Sequence, residues 1–93
     1  MKVYLLYEFV NRNYEEDVWE EIEIIGVYRD ISTAIKKANE RVKYGIKEYN
    51  VEIKPSIKNK ENPFKETWCV EMCRENTEKV EIYSIIIKEL QIE

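Results

Sequence analysis

The chain contains no histidine, and only two cysteines, two glycines and two prolines among its 93 residues. Without histidine the usual general base near neutral pH is missing, along with the Ser-His and Cys-His pairs that activate a nucleophile. The glycines are Gly26, inside an apolar run, and Gly45, after a helical pattern, so no glycine-rich loop exists to cradle a phosphate. Cys69 and Cys73 fall in a segment that alternates like a strand, where four residues span about 13 Å. A disulfide needs Cα atoms within about 7 Å, so these two are read as ordinary, partly buried thiols. Zinc would need further Cys or His ligands, and no metal or cofactor is expected.

Long apolar runs are also missing. The longest, around Ile82-Tyr83 and Ile85-Ile86-Ile87, has strand length, well short of the roughly 18 residues that span a bilayer. The opening Met1-Lys2-Val3-Tyr4-Leu5-Leu6-Tyr7-Glu8 meets a charge too early for the apolar part of a signal peptide, and no small-residue cleavage site follows. The expectation is no membrane association and a cytoplasmic location. Scarce Gly and Pro argue against linkers and against a disordered chain.

What is present suits a single α+β domain over residues 1–93. Hydrophobic residues make up 44% and charged residues 37%, enough for one core under a highly solvated surface. Residues 3–10 alternate, with Val3, Leu5, Tyr7 and Phe9 on one face and Tyr4, Leu6, Glu8 and Val10 on the other; two apolar faces predict a central strand. The polar run 11–17 reads as a hairpin loop. From Val18 to Tyr28 alternation returns, with an acidic first half and a second half apolar on both parities, predicting burial on both sides there. Gly26 is a candidate bulge. Asp30 is a good N-cap for a helix whose stripe is Ile31, Ala34, Ile35, Ala38 and Val42, and Gly45 is positioned to end it.

Residues 46–66 carry Pro55 and Pro63 and little periodicity; 49–54 is a candidate short edge strand and Phe64 a candidate anchor to the core. Residues 67–75 and Lys79–Leu90 read as the second hairpin. The predicted architecture is β-β-α-β-β, a four-stranded, mainly antiparallel sheet with the helix on one face. The strands over 3–10 and 79–90 are expected to be central neighbours, parallel to each other. One helix cannot cover both faces of such a sheet: either the middle segment folds across the second face or another subunit does, and the latter motivates a homodimer.

Charge is divided along the chain. Residues 1–35 hold three basic residues against eight acidic, a net of −5; residues 36–65 hold nine against four, a net of +5. The carboxylates Glu15, Glu16, Asp17, Glu20, Glu21 and Glu23 gather on the first hairpin. Neighbouring glutamates on a strand point to opposite sides, and the glycine spacing of a calcium loop is missing, so this is read as a solvated acidic surface. Tyr14 and Trp19 beside those acids suit a protein interface, with a plain cross-strand pair as the simpler explanation. The basic segment 36–65, interleaved with Tyr44, Tyr49 and Phe64, has the makings of a nucleic-acid surface, but glutamates interrupt it and the whole chain carries −4.

Two stretches, Val3-Tyr4-Leu5-Leu6-Tyr7 and Ile24-Ile25-Gly26-Val27-Tyr28 running into the capped helix with Ala34 and Ala38, together resemble a group of small uncharacterised bacterial and phage proteins. The resemblance covers about the first 45 residues and implies a small domain without assigned activity. The expected function is a non-catalytic interaction domain that binds a protein partner or itself. Its candidate surfaces are the acidic hairpin (Tyr14, Glu15, Glu16, Asp17, Trp19, Glu21) and the uncovered sheet face. Two alternatives follow: an inhibitor of a host defence nuclease whose acidic hairpin imitates phosphates, and nucleic-acid binding through 36–65.

Overall fold

Alternation in the first strand runs four residues further than its apolar pattern. The computed structural model describes residues 1–14, 17–49, 52–53, 68–75 and 79–92. In it β1 spans Lys2–Tyr14 and β2 spans Asp17–Tyr28, so Asn11 to Tyr14, read as loop from their polarity, belong to the strand. The reason is backbone pairing on both sides: Asn11 stands between Glu20 and Ile82, and Tyr14 between Asp17 and Lys79. A strand flanked on both edges satisfies its N–H and C=O groups whatever its side chains are.

Helix α1 (Ile31–Tyr49), β3 (Glu52–Ile53), β4 (Trp68–Glu75) and β5 (Lys79–Gln91) complete one sheet in the order β2-β1-β5-β4-β3. The class, the hairpin–helix–hairpin order and the central β1–β5 pair follow the sequence, and β3 is the short strand anticipated within 49–54. Phe64 lies outside the described residues. The direction of β5 is a correction: β1 and β5 pair antiparallel, from Lys2↔Gln91 to Tyr14↔Lys79. β3 is the cause. It runs antiparallel to β4 and adds one chain reversal after the helix, which inverts the last hairpin.

In β2 the register against β1 shifts between Leu6 and Tyr7: Leu6 faces Gly26, Tyr7 faces Ile24, and Ile25 is the extra residue of a bulge. The bulge exchanges the two faces along the strand. Glu21, Glu23, Ile25 and Tyr28 end up on the helix side, while Ile22, Ile24 and Val27 point away. The Tyr28 ring lies over Gly26, where an added Cβ would stand 2.6 Å from the phenol oxygen. A larger residue at 26 would have to displace the outer end of that ring.

Asp30 caps the helix as predicted, its carboxylate accepting from the Ser32 and Thr33 hydroxyls and the Ser32 N–H. The Ser32 bonds hold that carboxyl below its ordinary range. The stripe Ala34, Ala38 and Val42 is buried on Leu6, Val10, Met72, Tyr83, Ile85 and Ile87. Gly45 does not end the helix. It is buried and continues the stripe three residues after Val42, and α1 runs another turn to Tyr49. A mid-helix glycine costs roughly 1 kcal/mol, and here it is held by the helix's seat on the sheet.

Candidate interaction surfaces

On the helix side, one acidic residue interrupts the apolar face of β1: Glu8 lies between Leu6 and Val10 with 6% exposure. Cross-strand it faces Glu23, a like charge that would repel it. Arg41 from α1 resolves the clash. Its guanidinium donates to both Glu8 oxygens at 3.3 Å and to Glu23 at 3.2 Å. Arg41 lies outside the apolar stripe of the helix, and its side chain turns along the flank to reach the sheet. The signal that could have found this pair is the charge in an apolar face, since a buried carboxylate needs a cation.

Further along the sheet, Arg12 pairs with Glu21 at 3.2 Å and stands 6.0 Å from the centroid of the Tyr83 ring. Glu81, 4% exposed, accepts from Tyr83 at 2.7 Å and also from Tyr14. Glu8, Arg12, Glu21, Glu23, Arg41 and Tyr83 line a cleft of about 340 Å³. Each of its carboxylates is engaged by a guanidinium, so the cleft reads as a polar clasp joining the helix to the sheet.

Tyr83 titrates abnormally. Burial first, then the Glu81 carboxylate that accepts its hydrogen bond, push the phenol up to about 12, with Arg12 acting the other way. Because the folded state raises this value, the stability it contributes is complete below pH 10 and is lost as the pH rises through about 12. Spectrophotometric titration should show one of the seven tyrosines ionising near pH 12, and Tyr83→Phe should remove that step. An unchanged curve in the variant refutes the assignment.

The acidic hairpin is divided by the geometry. Tyr14 packs inward, donating to Glu81 with Lys79 5.1 Å from its ring centroid, and Glu21 is paired with Arg12. Asp17 and Trp19 are exposed, Trp19 opposite Arg12 in the cross-strand pair. Glu15 and Glu16 lie outside the described residues. Pairing of Glu21 and Glu23 with arginines reduces the acidic character on which phosphate imitation depends. On the helix, Lys36, Lys37, Lys43 and Lys47 are exposed, but Lys37 pairs with Glu40, and residues 50–51 and 54–65 of the basic segment fall outside the described residues.

The opposite sheet face is different. Its exposure is concentrated on β2, since Ser84 and Ile86 of β5 on the same face are 8% and 6% exposed. The second half of β2, expected to be buried on both sides, is covered only on the helix side: Ile22, Ile24 and Val27 are 66%, 67% and 59% exposed. Beside them on the same face stand Leu5, Tyr7 and Phe9 of β1, and Ile82 and Ile86 of β5. Cys69 is exposed and Cys73 half-buried on this face of β4, and neither forms a disulfide. No described helix is long and apolar enough to cross a membrane. Comparison of the chain with protein-family models, curated proteins and solved structures finds no match.

Proposed function

We propose that this chain is a non-catalytic interaction domain that binds a protein partner or another copy of itself through the helix-free face of its sheet. The observation that supports this most is the run of exposed Ile22, Ile24 and Val27, continuous with Leu5, Tyr7 and Phe9. Isolated apolar residues on a surface are ordinary, but a contiguous patch over neighbouring strands marks an interaction site. The acidic residues of β2 fit the same reading, because charges along an edge strand discourage indiscriminate strand pairing. A photo-crosslinking amino acid at position 22, activated in the protein's own cells, should give a discrete crosslinked species. The same group at Lys36, exposed on the outer side of the helix, is the control. If position 22 captures nothing beyond that control, the reading fails.

A further inference from the structure

β2 ends the sheet, and among the described residues no strand pairs with its outer side. Every second residue of an edge strand turns its N–H and C=O outward, a ready template for another chain. From Asp17 to Ile24 the ladder to β1 is regular, so the edge runs about 27 Å before the bulge at Ile25 interrupts it.

The two sides of this edge differ in chemistry. On the helix-free side stand Val18, Glu20, Ile22 and Ile24, all exposed, with Glu20 the one charge in an apolar row. On the helix side stand Asp17, Trp19, Glu21 and Glu23. Glu21 and Glu23 each give one oxygen, Oε2, to an arginine, yet their side chains remain 60% and 65% exposed. Carboxylates and the face of an exposed indole both attract a cation. We propose that β2 is a docking edge for an extended segment of a partner protein in which Lys or Arg alternates with Val, Ile or Leu. The cations of that segment lie over the helix-side row, and its apolar residues lie over Val18, Ile22 and Ile24. This inference rests on the interaction reading above and names the chemistry of the partner.

A second β2 is a poor occupant of the same edge. Opposite residues of an antiparallel pair share a face, so two copies about a two-fold axis pair residues of like parity. Centred on Glu20, Glu21 or Glu23, that glutamate meets itself; centred on Trp19, Asp17 meets Glu21; centred on Ile22, Glu21 meets Glu23. Like charges directly opposite destabilise a strand pair. A basic segment turns the same positions into attractions, so the edge that rejects its own copy selects its partner.

Two synthetic peptides of one composition test this, Lys-Val-Lys-Val-Lys-Val-Lys and Lys-Lys-Lys-Lys-Val-Val-Val. The alternating peptide should bind at least about 10-fold more tightly, because backbone pairing presents alternate side chains to opposite faces. Amide hydrogen exchange should slow at alternate residues between 17 and 24 when it binds. Ile22→Lys should weaken it by at least about 10-fold, whereas Glu48→Lys on the helix, a larger change of charge, should cost less than about 2-fold. Both positions are exposed, so circular dichroism of each variant should remain that of the folded chain. Equal binding of the two peptides, binding of neither, unchanged exchange in β2, or equal losses in the two variants overturns the docking edge. The crosslink at position 22 separates this result from the reading beneath it. A captured partner whose linked segment lacks the alternating pattern, a second copy included, overturns the strand addition and leaves the interaction reading standing.

Discussion

Replacing Arg41 with methionine is expected to lower the unfolding free energy by about 3 kcal/mol, the lower end of the range for breaking a buried ion pair. The figure follows from burial: the Glu8 side chain is 8% exposed and Arg41 26%, so water reaches the cation but hardly the acid. Methionine keeps the bulk of the side chain and removes the donors. Glu8 is then left facing Glu23 with nothing between them. The melting temperature should fall by more than about 10 °C, since 1 kcal/mol is worth about 4–8 °C in a chain of this size. Replacing both members, Glu8→Leu with Arg41→Met, should recover most of the loss, because an apolar pair of similar volume has no charge to desolvate. Urea denaturation of the four proteins of this cycle measures the coupling. A single variant within about 1 kcal/mol of the parent, well inside the spread of ordinary substitutions, would mean that water already serves Glu8.

Ile85→Ala should be at least as damaging, at about 3–4 kcal/mol, through lost burial and the cavity left behind. Ile85 has no exposed surface and stands in β5 between Glu8 of β1 and Val70 of β4, beneath the helix stripe. Its neighbours belong to elements far apart in the chain, so they cannot close over the gap without moving the helix. Ile46→Ala on the outer part of the helix, at 41% exposure, is the control and should change stability by less than about 0.5 kcal/mol. Equal effects at the two positions would contradict the packing described.

Much of this fold was legible because its period is plain. The alternation of Val3 to Val10 marks a central strand, and the three-and-four spacing from Ile31 to Val42 marks the helix and the face it buries. Three features escaped for identifiable physical reasons. Residues 11–14 look like loop because polarity was read as solvation, whereas strands on both sides hold their backbone. The direction of β5 hinges on two residues, Glu52 and Ile53, too few to carry a periodic signal. Gly45 resembles a helix stop, yet local preference yields to three turns of packing. As for the surfaces, the sheet that looks apolar on both faces was readable as a pattern. The internal pairing of Glu21 and Glu23 was not, because Arg12 and Arg41 approach them from other elements.

The antiparallel β1–β5 pair also governs how the molecule must assemble. Its register joins residues 2–14 to residues 79–91, so the longest ladder in the sheet spans nearly the whole chain. The first hairpin and the helix cannot acquire this pairing until β5 inserts between β1 and β4. Closure over such separations delays the favourable contacts, and sheets dominated by remote pairing fold in milliseconds to seconds rather than microseconds. During synthesis the inner edge of β1 therefore waits, unpaired, for the last strand. That interval is when the apolar rows of β1 are most open to association with the wrong partner.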